Sequence, residues 1–362
     1  MSVWDMVRRT GQRQSRAFVL QQIPSSGADP GGLQPALVAE QDYFQVWLSQ
    51  MFLGTRSTLT ADWLPAAHAR VSLVRTGRPP MEYSKVLRPE AHQLAQGVKL
   101  NYPLTPLIPF NGGMVEIEAA LVAWQQSNRM DVAVELLQSV SALAFPLPAI
   151  APALGVATIV TTAARDLVDK CDGRVHLNVH QSYTAGNGAV GNNPEPDTAL
   201  RPTYLAVLLA DENQVSPGTL RVVDSQLRQL DGHGQLHHLV GWDFLLLRVE
   251  GRATLDSFWL PEMEDLFDRA ITALEAGNRA LAESYRTSAI ALVWRSPLFT
   301  WVDRDRIVDA VKARFDHVAS LGLGAVPTRK PESLTELVTQ YGPSVSEVQK
   351  RGSMSEASAF RA

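Results

Sequence analysis

The chain has one cysteine, Cys171, in 362 residues, so no intrachain disulfide can form. A chain of this length needs none, because it can bury most of the surface it would expose unfolded. That scarcity fits a reducing compartment, and a cytoplasmic location is the expectation. Excess positive charge is also missing. The formal net charge is −4 and the basic residues form no stripe, so no nucleic acid is expected as a partner. A secretory leader is not visible. The basic start, with Arg8, Arg9, Arg13 and Arg16, reaches only Phe18-Val19-Leu20 before the polar pair Gln21-Gln22. Internal repeats and heptads are absent too.

Catalytic motifs are equally scarce. Gly186-Asn187-Gly188-Ala189-Val190-Gly191 satisfies the dinucleotide-binding string, but Asn192-Asn193-Pro194 follows where a helix should open. There is no G-x-S-x-G elbow and no H-E-x-x-H helix. Cys171 carries no signature of an activated thiolate. No cofactor is expected.

Hydropathy patterning gives the architecture. The spacing of Phe44, Trp47, Leu48, Met51 and Phe52 predicts an amphipathic helix, closed by Gly54. Residues 69–74 and 81–86 read as a small hairpin. Three prolines in the seven residues 103–109 exclude regular helix. A second helix is expected after Asn111, with Met114, Ile117, Leu121 and Trp124 on one face. In that helix Glu116 and Glu118 diverge. Residues 136–164 carry no charged side chain, but Pro146, Pro148 and Pro152 divide them. They read as an apolar hairpin.

From Val175 the pattern becomes strand-like. Val175, Leu177 and Val179 alternate with His176, Asn178 and His180. Tyr204 to Leu209 and Phe244 to Val249 are apolar strands, Thr219 to Val223 is expected to pair with the former, and Asp231-Gly232-His233-Gly234 is a turn. The end is helical. Pro261 suits a first helical position, Gly277 a break, Ser296-Pro297 a stop, and Thr300 with Asp303 a capping pair.

These readings give an α+β fold with an N-terminal helical part, a central antiparallel sheet and a C-terminal helical part. The expected divisions are a mobile segment 1–32, a mostly helical part 33–170, a β part 171–255, helices 256–324 and a mobile tail 325–362.

Three sets of residues are candidates for function. Asn111, Gly112 and Gly113 before a helix would offer free N–H groups to an anion. His176, His180 and His237 are candidate metal ligands. His176 and His180 lie roughly 13 Å apart along a strand, too far to share one ion by themselves. Phe44, Trp47 and Met51 are a candidate interaction face. The leading expectation is a non-enzymatic accessory protein acting through a protein partner. One alternative is a membrane-active effector inserting 136–164, membrane-associated on activation. The other is an enzyme with a non-sequential His/Cys site on the central sheet.

Overall fold

The computed structural model describes residues 17–24, 34–54, 57–58, 61–74, 80–87, 98–125, 173–184, 199–210, 215, 217–239, 241–321, 331 and 333–359. The apolar stretch 136–164 and Cys171 lie outside them, as does most of the Gly186–Pro202 loop. No helix among the described residues is long and apolar enough to cross a membrane. The fold is α+β, with antiparallel sheets followed by helices from residue 261. It divides into two compact units. The β unit comprises 1–37, 45–106 and 112–251; the helical unit comprises 38–44, 107–111 and 252–362.

In the β unit, strands β1 (Ala17–Pro24), β10 (Thr203–Ala210), β14 (Asp243–Arg252), β2 (Tyr43–Phe52) and β6 (Val98–Pro103) follow one another in a sheet. Its central strands are apolar on both faces. Leu205 to Leu208 are all buried, as are Phe244 to Leu247, the continuous pattern expected of doubly covered strands. On one side Tyr204, Ala206, Leu208, Phe244 and Leu246 pack with Leu220, Leu227 and Leu239. The last three belong to or flank a second sheet of β11 (Leu220–Val223), β12 (Gln226–Leu230) and β13 (Leu236–His238). β11 thus pairs with β12, not with β10 as its position suggests.

The third sheet runs β3 (Ser57–Thr58), β4 (Ala61–Val74), β8 (Met114–Gln125), β9 (Gly173–Thr184), with β5 (Met81–Leu87) also on β4. The 69–74/81–86 hairpin is present in it, with Ala69 opposite Lys85. Pro65, which has no N–H to donate, lies opposite Ala123 of β8, between the β4 residues that pair with β3 and those that pair with β5.

Two expected helices are strands. Phe44 to Phe52 is β2, and Tyr43, Val46 and Leu53 are buried along with Phe44, Leu48 and Met51. Apolar residues on nearly every side satisfy a helical period by accident. Met114–Gln125 is β8, in which Val115, Ile117, Ala119, Leu121 and Ala123 share one side, and Glu116, Ala120 and Val122 on the other are buried too.

A glycine is needed where β2 ends. Gly54 donates its N–H to Asp243 Oδ1 at 2.7 Å. A Cβ there would lie 2.5 Å from the Gly241 carbonyl carbon and 2.8 Å from Trp242 N, both backbone atoms. Gly54→Ala should lower the β unit's stability by about 1–3 kcal/mol, read as an earlier urea midpoint. An unchanged midpoint would show that the two segments are not in contact.

The helical unit holds α1 (Pro261–Glu275), α2 (Arg279–Arg295), α3 (Trp301–Leu321), α4 (Leu334–Tyr341) and α5 (Val345–Ala359). Pro261 occupies the start of α1. Gly277 turns the chain with φ 79°, and Asn278 caps α2 by accepting from Leu281 N–H. Met263, Phe267, Val293, Ile307, Val311, Phe315, Leu334 and Leu337 are buried in one core. Within the segment expected as a tail, Leu334–Tyr341 and Val345–Ala359 therefore form helices, and the first contributes to that core. Within the unit, β7 (Ile108–Pro109) pairs with Tyr43 and Phe44, and Phe44 meets Phe110 edge-on at 5.9 Å.

Candidate functional sites

The β4–β8–β9 pairing creates a polar sheet face. Strand alternation sends Ala67, Ala69, Val71 and Leu73 to one side and His68, Arg70 and Ser72 to the other. On β8 the apolar side is Val115, Ile117 and Ala119, so Glu116 and Glu118 share the opposite side. Register then sets Arg70 opposite Glu118, and Glu118 opposite His180. Ser72 lies opposite both Glu116 and Glu82.

The side chains on this face form a chain of contacts. Arg70 Nη2 is 2.5 Å from Glu82 Oε1, and its Nη1 is 3.9 Å from Glu118 Oε2. His180 Nδ1 is 2.9 Å from Glu118 Oε1, and His180 Nε2 is 3.3 Å from Ser182 Oγ. Exposure rises along it. Side-chain exposure is 6% for Arg70, 12% for Glu118 and 48% for His180. Ser72 Oγ donates to Glu116 Oε2 at 3.1 Å. His68 is buried 3.1 Å from Ser84 Oγ. Burial first, and the Arg70 charge second, push the His68 imidazole down to about 4.

The second candidate lies in the helical unit. Phe258 and Phe299 meet edge-on at 6.0 Å, which joins the segments before α1 and before α3. Each buried ring has an exposed apolar neighbour. Trp259 is 72% exposed beside Phe258, and Leu298 is 46% exposed beside Phe299. Trp294, exposed at the end of α2, precedes Leu298 by four residues.

The sequence-predicted residues are distributed differently from expectation. His180 has Glu118 as its carboxylate partner. His237 is on β13 of a different sheet, with Nε2 2.8 Å from Asp231 Oδ2. The Asp231 carboxyl also accepts from the His233 and Gln235 N–H groups. These contacts, the Gln235 N–H first, hold it below the usual carboxylate range. His176 falls at a register shift of β9 against β8. His180 and His237 thus belong to different sheets, and no group of three or more possible ligands is present among the described residues.

Gly112 and Gly113 have φ values of 79° and 91°, but they lead into β8, so Asn111 caps no helix and the expected anion site has no helix N-terminus. Phe44 and Met51 are buried, and Trp47 is half-buried with the Arg248 guanidinium 4.7 Å above its ring. Burial closes Phe44 and Met51 to a partner, which leaves only Trp47 partly open. Arg70 and Ser182 carry no signal in the sequence, and Glu118 with Glu116 reads there as a diverging pair on a helix. The signal for Glu118 was the alternation of Glu116 and Glu118 with apolar neighbours. Comparison with known proteins adds no identity: no family model, no curated protein and no solved structure matches this chain.

Proposed function

We propose that this chain is an accessory protein that acts in the cytoplasm by binding a protein partner through its helical unit. The observation carrying this reading is Trp259, 72% exposed on a segment that Phe258 anchors to the core. Exposed tryptophan fixed on a rigid support is the residue type most enriched at binding hot spots. Leu298, exposed next to Phe299, adds apolar surface beside the Phe258–Phe299 contact, and Trp294 is exposed four residues before Leu298 in the chain. One cysteine in the whole chain suits a reducing compartment.

Photo-crosslinking from position 259, in cells that naturally make the protein, tests the reading. One adduct of defined mass is expected. Trp294→Ala with Leu298→Ala should weaken the complex by about tenfold or more, the loss of roughly 1.4 kcal/mol at a hot spot. An empty crosslinking lane, or an adduct indifferent to both substitutions, overturns it. An adduct of twice the chain's mass would assign the surface to a second copy instead.

A further inference from the structure

We propose that Ser182 is an activated nucleophile, with His180 as its base and Glu118 as the group that orients the base, and that the β unit transfers acyl groups from small activated esters to water. This goes beyond the docking reading and involves the other unit, so neither stands or falls with the other.

Three features of the polar sheet face support it. The first is connectivity. An ionised carboxylate only accepts hydrogen bonds, so the 2.9 Å contact with Glu118 Oε1 places the imidazole proton on His180 Nδ1. Nε2 is then left with its lone pair, 3.3 Å from Ser182 Oγ. This is the order of groups in a nucleophile–base–orienter relay, and such contacts are often looser before substrate binds. The second is support. Arg70, itself 6% exposed, lies between Glu82 and Glu118 and is 3.9 Å from the Glu118 oxygen that His180 does not use. Glu118 is thereby held between a guanidinium on one side and the imidazole on the other. The third is access. His180 is 48% exposed and Ser182 half-buried, so an ester can reach the serine while the carboxylate stays withdrawn. A purely structural polar ladder would not need its polarity to end in an imidazole lone pair aimed at a hydroxyl.

The chemistry balances within the three residues and water. Ser182 Oγ attacks the ester carbonyl carbon and its proton passes to His180 Nε2. The bond from carbon to the leaving oxygen breaks, and that oxygen takes the proton from Nε2. Water then attacks the Ser182 ester, gives its proton to Nε2, and Ser182 Oγ departs as a hydroxyl. The Nδ1 proton stays on the imidazole throughout, where the Glu118 charge stabilises the transient imidazolium.

The test uses the full chain with p-nitrophenyl acetate at neutral pH, with acid quenching and peptide mass mapping. An acetyl group on Ser182 and a matching burst of nitrophenolate are expected. His180→Gln should slow Ser182 acylation by about 10²-fold or more, the usual contribution of a positioned base, and abolish an ionisation in the rate–pH profile. Glu118 is a positioning residue and has its own readout. In Glu118→Gln the amide can donate to Nδ1, so the ¹⁵N shifts of His180 should report a move of the proton to Nε2, with a slower acylation.

The proposal is overturned if Ser182 is not acylated, or if it is acylated at the same rate in His180→Gln. His180 is exposed and Ser182 only half-buried, so His180→Gln and Ser182→Ala should leave the urea midpoint within a few tenths of a molar of the wild type, about 0.5 kcal/mol. If Glu118→Gln fails to fold, His180→Gln alone decides.

Discussion

Asp303→Ala should destabilise the helical unit by about 3–5 kcal/mol, the cost of breaking a buried ion pair from one side. Asp303 is fully buried at the start of α3. Its Oδ1 accepts from Arg306 Nη1 at 2.8 Å and its Oδ2 from the Tyr43 hydroxyl, also at 2.8 Å. The same hydroxyl accepts from Thr300 N–H at 3.0 Å, and Asp303 N–H points at Thr300 Oγ1 at 3.4 Å. This is a capping box with a phenol inserted between its halves. The Trp301 N–H is used as well, by the Glu40 carbonyl at 2.9 Å. Removing the carboxylate strips a charge from beside Arg306, whose side chain is 16% exposed, and the acceptor from the buried Tyr43.

Tyr43→Phe should cost less, about 1–3 kcal/mol, because it orphans one N–H and one carboxylate oxygen but leaves the ion pair. The double variant should lose less than the sum, since both changes break the same bond. Urea unfolding of the four proteins measures all of this. A loss below about 1 kcal/mol for Asp303→Ala would mean that the carboxylate is not held as described.

Burial outweighs both partners and raises the Asp303 carboxyl above its ordinary value; burial likewise raises Asp42. A carboxyl raised in the folded state adds stability at low pH, and that contribution disappears as pH rises through the raised value. Asp303 and Asp42 should therefore each add to the stability of the helical unit as pH falls through their raised values.

How far the sequence shows this fold depends on the range of the interactions involved. The helical unit was legible where capping chemistry is local. Pro261, Gly277, Ser296-Pro297 and the Thr300/Asp303 pair mark boundaries through groups no more than a few residues away. Strands β9, β10 and β14 were legible from alternation or continuous apolar runs. β2 was not, because a strand covered on both faces has apolar residues at most positions and matches a helical spacing. β8 was misread for a related reason. Met114, Ile117, Leu121 and Trp124 fit a helix, while Val115, Ile117 and Ala119 against Glu116 and Glu118 fit a strand, and the strand forms. The relay needed more than the right elements. It depends on the register of β4, β8 and β9, which brings Arg70, Glu118 and His180 into one row from positions up to about a hundred residues apart. Pairing of that range leaves no local trace. The inserted Tyr43 is the same kind of feature, since 257 residues separate it from Thr300.

The β unit should respond to acid in the opposite direction, and His68 is the reason. Its side chain is buried on β4, and its imidazole is pushed from 6.5 to about 4 by burial and by Arg70. The neutral form is thus the one the fold holds. Above pH 6.5 the ring is neutral folded and unfolded, so His68 contributes no penalty. Between 6.5 and about 4 the unfolded chain takes up a proton that the folded one refuses, and stability falls as pH falls. At 1.36 kcal/mol per pH unit the whole window is worth about 3 kcal/mol.

His68→Leu removes the titration while keeping an apolar side chain against the sheet. Loss of the Ser84 contact should shift its stability by a constant amount, whereas the difference between variant and wild type should change by about 3 kcal/mol from pH 7 to pH 4. Urea curves at several pH values give that difference directly, and the carboxylates of the helical unit cancel from it because both proteins carry them. Parallel curves for the two proteins would place the His68 ring in contact with water. The polar face would then lack the cover that its burial requires, and Arg70, two residues along the same strand and 5% exposed, would be the next group to test for access.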